Sequence, residues 1–416
     1  MSQATPSEAL LGDRRIVVCV GTGGVGKTTV AAAIALEAAC RGKRSLVLTI
    51  DPARRLADAL GLEGLDNEPR EISVALDGTP VEGKLFAMML DMKSTFDDLV
   101  NRFTDDAQAR ERILANPIYQ HLSDALAGSA EYAAMEKVFE LSENRDFDFI
   151  VVDTPPSQHA LDFLDAPRRM VEFLDSRLVQ LLLHPAMSAG RLGFRLFQRP
   201  AQGAFHLLER ITGIGFLEDL SEFLMAIEGM SEGFKDRAIR VRARLLGSSS
   251  AFVLVAGPSP EATRNANLFL AHLDASRVPL VGVVVNRMHL WPGKGPPPQE
   301  LDPASASPED LALLAGALAV AAGDADPAAH EPEARAAVAA ASDYAAQVRM
   351  DITSSEPLRA DAVQNGRFFR RVPELPLDVH DLAGLAQIRR YLFRDDGSAA
   401  ELEGGEDLAS THSEVS

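Results

Sequence analysis

GTGGVGKTT, residues 21–29, lies between the run RRIVVCV (14–20) and the Ala-rich segment TTVAAAIALEAACRG (28–42). The first run is apolar almost without a break, as a strand covered on both faces is, and the second predicts a helix. Between a strand and a helix, the pattern G-x-x-x-x-G-K-[ST], here Gly21 to Thr28, marks a phosphate-binding loop. The backbone N–H groups of Gly21, Thr22, Gly23, Gly24, Val25, Gly26 and Thr29 curl around the phosphates of ATP, and the helix N-terminus adds its dipole. Lys27 is expected to reach the β- and γ-phosphates, and the Thr28 hydroxyl to bind Mg²⁺. A glycine-rich turn without a ligand would explain the glycines but not the strand–loop–helix setting.

Working outward, further β-rich runs recur at RSLVLTI (44–50), KLFAMML (84–90), FDFIVV (147–152), SAFVLVA (250–256) and LVGVVVN (280–286). Helical segments separate them, so the fold class is α/β, a P-loop NTPase with a doubly wound, mainly parallel sheet. Residues 93–245 hold no other strand than 147–152 and read as mostly helical. The expected core is therefore discontinuous (1–92, 147–160 and 246–393), with a helical subdomain inserted at 93–146 and 161–245. Residues 291–332 form a Pro- and Ala-rich insertion, expected to be exposed. Residues 394–416 form an acidic tail, and its final run DDGSAAELEGGEDLASTHSEVS, without Lys or Arg, is expected to be disordered.

The 416 residues carry a net charge of −19, which argues against a nucleic-acid partner, because such binding needs clustered positive charge. Cys19 and Cys40 have no metal-site spacing and read as buried, reduced thiols. The N-terminal MSQATPSEALLGDRR lacks the layout of a signal peptide. The longest near-apolar run, Leu311 to Gly323, falls short of the roughly 20 residues of a membrane span. A cytoplasmic protein without a transmembrane segment is expected.

Two carboxylates follow strands. Asp51 comes directly after the second run, in LTIDPARRLADAL, where the carboxyl ends of parallel strands line the ligand crevice. There it is placed to orient or deprotonate the attacking water, but equally to cap the Pro-led helix that follows. Asp153 ends FDFIVVDTPPS, the layout of the carboxylate that holds Mg²⁺ in P-loop enzymes; capping of the loop is the alternative.

Together these pieces resemble the anion-transporting ATPases of the ArsA type. That family includes the bacterial arsenite-pump ATPase and the eukaryotic factor that delivers tail-anchored membrane proteins, and is related to the MinD/ParA group. Its GKGGVGKTT, DPAH and DTAPTGHTLR match GTGGVGKTT, DPARRLAD (51–58) and DTPPSQHALDFLDAP (153–167) here. VVVNRM (283–288) matches the adenine-side Asn, carried over to Asn286, and LPLDVHDLAGLAQI (375–388) resembles the adenine loop, carried over to Pro376 and Leu377. The resemblance implies that Asp51 is the water-activating carboxylate and that the protein works as a dimer.

Three departures stand out. The arsenite pump's metalloid-binding cysteines and the targeting factor's zinc-clasping CxxC have no counterpart. Thr22 occupies the position of a lysine that, in the family, reaches across the dimer to the partner's phosphates. Threonine has neither the length nor the charge for that. Position 22 is then either an unconstrained loop position or the mark of a heterodimer with a lysine-bearing paralogue.

In FLEDLSEFLMAIEGMSEGF (216–234), Phe216, Leu220, Phe223, Ile227, Met230 and Phe234 form one apolar helical stripe. It fits ordinary core packing as well as a groove for a hydrophobic protein or lipid client. The expected protein is an ATP-hydrolysing, Mg²⁺-dependent dimer, homo- or heteromeric, whose helical subdomain acts on a client. A nucleotide-binding subunit with little hydrolysis is the alternative. A positioning ATPase of the MinD/ParA kind would want a basic amphipathic C-terminal helix, which the acidic tail is not.

Overall fold

β1 (Ile16–Val20) is buried along its whole length, and its side chains part to two apolar clusters. Ile16, Val18 and Val20 join the cluster on one face of the sheet, and Val17 and Cys19 the cluster on the other. A strand that feeds two cores must be apolar at every position, which is why its run shows no alternation. The computed structural model describes residues 5–116, 129–155, 231–298 and 306–394, less positions 52, 77, 105, 145, 293 and 294, together with Tyr119 and Glu172. Residues 216–230 of the apolar stripe and the acidic run from 395 lie outside the described residues.

In chain order, α1 (Pro6–Leu11) and β1 lead through the glycine loop into α2 (Lys27–Cys40), then β2 (Arg44–Thr49) and α3 (Arg55–Ala59). β3 (Arg70–Ile72), β4 (Ala75–Leu76), β5 (Thr79–Pro80) and β6 (Lys84–Met89) follow. Next come α4 (Met92–Phe103), α5 (Ala107–Ala115), α6 (Ser129–Asn144) and β7 (Phe149–Asp153). α7 (Ser231–Leu245), β8 (Ser250–Ala256), α8 (Pro260–Ala275) and β9 (Leu280–Met288) continue the alternation. α9 (Pro308–Ala322), α10 (Glu331–Gln364), β10 (Phe368–Pro373) and α11 (Leu382–Phe393) complete it.

The eight-stranded sheet runs β10-β9-β8-β1-β7-β2-β6-β3, parallel throughout except for β3 against β6. The chain leaves β1 toward β2 on one side and returns past it to β8 on the other. The carboxyl end of β1 is therefore the switch point where ligands bind in such sheets. The six apolar runs read from sequence all become strands, and β3 and β10 are additional.

α1, α2 and α11 cover one face of the sheet, and α6, α7, α8 and α10 the other. α2 is Ala-rich and buried on nearly all sides, and its Glu37 pairs with Arg41 and with Arg389 of α11, each at 2.7 Å. Of the two thiols expected to be buried, Cys19 is, whereas Cys40, at the end of α2 where the chain turns outward, is only half-buried. α6 and α7 were assigned to the helical subdomain from sequence, yet they add Tyr132, Met135, Val241 and Leu245 to the same cluster as the sheet. The Pro- and Ala-rich stretch contains α9, which packs Leu311 and Ala315 on Ala334 of α10 and leaves Leu313 and Val320 exposed. Among the described residues no single helix is long and apolar enough to cross a membrane.

Gly282 of β9 faces the buried ring of Phe368, which occupies the space a Cβ would need. Gly282→Ala is expected to cost about 1–3 kcal/mol by overpacking, read as a lowered thermal midpoint. Phe368→Leu in the same chain should recover part of that loss, and additive losses would show that the clash is not the cause.

Candidate active site

Strand register assembles the site before any ligand arrives. Cys19 of β1 and Thr49 of β2 both stand opposite Asp153 of β7 at the carboxyl end of the sheet. The Thr28 hydroxyl, from the first turn of α2, donates to Asp153 Oδ2 at 2.8 Å, and the Thr49 hydroxyl donates to the same oxygen at 2.9 Å. Asp153 is 1% exposed, and its Oδ1 has no hydrogen-bond partner among the described residues. Burial pushes its carboxyl up to about 6, against the two threonine hydrogen bonds and the nearby Lys27 charge, which pull the other way. A buried carboxylate oxygen without a donor, beside a threonine hydroxyl at the mouth of a phosphate loop, fits the oxygen-ligand chemistry of Mg²⁺.

The loop itself depends on its neighbours. Gly26, the N-cap of α2, has φ +86°, and a Cβ there would strike the Asn286 amide. That amide, buried at the end of β9, donates to the Val25 carbonyl at 2.9 Å. The next residue, Arg287, takes a left-handed backbone (φ 61°) and donates to the Gly24 carbonyl at 3.3 Å. Lys27 curls back over the loop and donates from Nζ to the Thr22 carbonyl at 2.8 Å. Burial lowers the Lys27 pKa, with Asp153 opposing.

Asp51 lies beyond β2 with both carboxylate oxygens engaged. Oδ1 accepts from the Ala53 backbone N–H at 3.0 Å, an Asx turn rather than the helix cap the sequence also allowed, since α3 is capped at Arg54 without a side-chain bond, and Oδ2 accepts from Arg55 at 3.2 Å. It shares a cavity of about 390 Å³ with Gly24, Gly26, Lys27, Thr28, Thr29 and Thr154. The lining also includes Arg287 and Asp378, Val379 and His380. Of the expected nucleotide contacts, Gly24, Gly26, Lys27, Thr28, Thr29 and Asp51 thus line one space, whereas Gly21, Thr22, Gly23 and Val25 are not part of the lining. Asn286 and Asp153 support it from beneath. Pro376 and Leu377 fall just short of the lining, and Leu377 is 81% exposed.

The sequence profile of the family described as anion-transporting ATPase matches residues 14–289. The chain belongs to the anion-transporting ATPase family. An ATPase GET3 of Malassezia globosa is 31% identical over 151 residues, 36% of this chain and 42% of the fungal protein. A putative arsenical pump-driving ATPase of Halobacterium salinarum is 30% identical over 170 residues, 39% of this chain and 25% of the archaeal one. An ATPase ASNA1 homolog 1 of Paramecium tetraurelia is 26% identical over 273 residues, 64% of this chain and 73% of its relative. The chain spans less than half the length of the first two.

In this member of the anion-transporting ATPase family several lining or supporting residues escaped the sequence reading, among them Thr49, Arg287, Arg55 and His380. Thr49 carried a signal, being a hydroxyl two residues before Asp51 at a strand end. Arg287 carried another, adjacent to Asn286. Arg55 and His380 carried none, since exposed arginines and histidines in loops are common.

The folded protein keeps Asp153 protonated up to about pH 6, whereas the unfolded chain gives up that proton near 3.8. Metal-free stability therefore falls as pH rises between these values, and the loss persists above them. Asp153→Asn is expected to raise the thermal midpoint of the metal-free protein at pH 8, and to abolish the further rise that Mg²⁺ and ATP give wild type. A midpoint unchanged by the substitution at pH 8 would show that the carboxylate carries no burial cost.

Proposed function

We propose that this chain is a Mg²⁺-dependent ATPase that works as a dimer and couples its nucleotide cycle to a helical region acting on a hydrophobic client. The observation that carries the reading is the convergence of the Thr28 and Thr49 hydroxyls on one oxygen of Asp153, with the other oxygen left buried and unpartnered beside Lys27 and the glycine loop. A glycine loop kept only for structure would have no use for a carboxylate held at that cost.

The loop amides and Lys27 bind the phosphates, and Lys27 gives up the Thr22 carbonyl to do so. Thr28 and Asp153 hold Mg²⁺, which neutralises charge on the β- and γ-phosphate oxygens. Asp51 orients the attacking water and accepts its proton. The base lies toward β9 and the 375–388 segment, where Asn286 braces the loop and Pro376 and Leu377 flank the wall formed by Asp378 to His380.

The client is a protein or lipid rather than a metalloid held by thiolates. Supporting this, the two cysteines are distant in the fold, Cys19 within β1 and Cys40 at the far end of α2. The helical region at 93–146 and 161–245 is the client-bearing part. Its α6 and α7 share a core with the sheet, which gives nucleotide-driven shifts a rigid path into it.

A second reading, a nucleotide-binding subunit with weak hydrolysis of its own, is favoured by Thr22 and by the Asp51 oxygens both being engaged. A paralogue bearing lysine at the position of Thr22 would then add a cation to this chain's site and receive none in return.

Asp51→Asn is expected to keep ATP affinity within several-fold and to lower single-turnover hydrolysis by about 10²-fold or more. Lys27→Ala should weaken nucleotide binding itself. Wild-type turnover by Asp51→Asn would remove Asp51 from the chemistry. Mixing with the lysine-bearing paralogue, or Thr22→Lys in this chain, should raise steady-state ATPase activity by tenfold or more. Equal rates with and without the paralogue would return Thr22 to an ordinary loop position.

A further inference from the structure

Among the described residues, three lysine or arginine side chains line the 390 Å³ cavity: Lys27, Arg55 and Arg287. Two are committed to the loop. Lys27 belongs to the phosphate cradle, and Arg287 is tied to the Gly24 carbonyl from a left-handed backbone at the end of β9. Arg55 differs in position and in freedom. It opens α3, four residues after Asp51, its side chain is 58% exposed, and the hydrogen bond to Asp51 Oδ2 at 3.2 Å is its contact in the cavity. It is close enough for its charge to act on Lys27 across the cavity.

We propose that Arg55 is a catalytic residue: with ATP bound, its guanidinium leaves Asp51 for the γ-phosphate and neutralises the charge that spreads over the transferring phosphoryl group. The proposal rests on the ATPase reading above and extends it by supplying, from the same chain, a cation that Thr22 does not.

Three observations carry it. First, in-line displacement puts the attacking water opposite the leaving oxygen, and Asp51 is the carboxylate on the water side. A guanidinium in contact with Asp51 is therefore already beside the face under attack. Second, Oδ1 of Asp51 already accepts from the Ala53 N–H and Oδ2 from Arg55, so an attacking water competes with Arg55 for Oδ2. Removal of Arg55 by a stronger anion releases a lone pair at the moment substrate arrives. Third, an exposed pair between residues four apart on a helix entry is weakly held, so exchange of one carboxylate for a γ-phosphate bearing more charge is favourable.

In the reaction the water oxygen forms a bond to the γ-phosphorus as the bond from that phosphorus to the β,γ-bridging oxygen breaks. The bonding electrons leave with ADP, and the water proton passes to Asp51 and then to solvent. Arg55 enters no covalent bond. Its N–H groups donate to the equatorial oxygens, where charge develops.

The test uses the full chain as Arg55→Ala and Arg55→Lys, with thermal midpoints to establish that each variant folds. Arg55→Ala should bind Mg²⁺ with a non-hydrolysable ATP analogue within about threefold of wild type, because the ground state needs little from an exposed side chain. The same variant should lose about 10²-fold in affinity for Mg²⁺·ADP with aluminium fluoride, which mimics the transferring group, and a similar factor in single-turnover rate. Arg55→Lys should recover part of both, as charge without the planar fork.

A cap that merely holds Asp51 predicts the opposite: Arg55→Ala would free the carboxylate, hydrolyse as fast as wild type or faster, and bind ADP with aluminium fluoride unchanged. That result would overturn the inference and leave the ATPase reading standing. A wild type that binds Mg²⁺·ATP but neither hydrolyses it nor binds ADP with aluminium fluoride more tightly than ADP would overturn the ATPase reading, and the inference with it.

Discussion

A carboxylate buried at the centre of an eight-stranded sheet must be held by donors or by a cation, and Asp153 is held by only half of what it needs. Two threonine hydroxyls from different elements, one on the first turn of α2 and one at the end of β2, meet on a single oxygen. The other oxygen has nothing. That geometry requires β1, β2 and β7 to end in register and α2 to begin at one point above them. Those constraints in turn require Gly26 to turn with a positive φ and Asn286 to brace Val25 from β9. Much of the geometry around the switch point is therefore tied to the position of one buried carboxylate oxygen.

Within the cavity itself, Lys27 and Asp51 each have a partner from the same chain. Lys27 rests on the Thr22 carbonyl, and Asp51 is shared between the Ala53 N–H and Arg55. Neither contact is strong: one is a single hydrogen bond to a neutral carbonyl and the other an exposed ion pair. In the proposed cycle a triphosphate displaces both partners at once. The contact of Arg287 with the Gly24 carbonyl, exposed and 3.3 Å long, is of the same weak kind.

The long helix α10 shows how the sheet edge is held to the rest of the molecule. Asp351, fully buried midway along it, accepts from both the backbone N–H and the ring of His289, just past β9. The same helix carries α9 on its N-terminal part, through small contacts between Leu311, Ala315 and Ala334. The end of β9 is thus bound on one side to the phosphate loop through Asn286 and Arg287, and on the other to α10 through His289. The contacts to the loop and to α10 leave the end of β9 within four residues of chain.

The sequence alone determined the nucleotide end of the protein, because that end is built from local patterns. Six strands buried on both faces read as unbroken apolar runs, and the glycine loop, Lys27, Thr28, Asp51 and Asp153 follow from their positions at strand ends. Elements at the margin of the sheet left no such mark. β10 interrupts its apolar residues with the pair Arg370 and Arg371 on a half-exposed edge, and β3 is a three-residue antiparallel strand, so neither shows the run that full burial demands. What only the tertiary structure decided is which distant side chains share the cavity. Thr49 meets Asp153 through register, and Asn286 meets Val25 across 261 positions of chain. Asp378 to His380 replace Pro376 and Leu377 on the wall because the segment before α11 turns its leucine to solvent. Periodicity records how a residue is buried by its own element; it holds no record of which other element the fold brings against it.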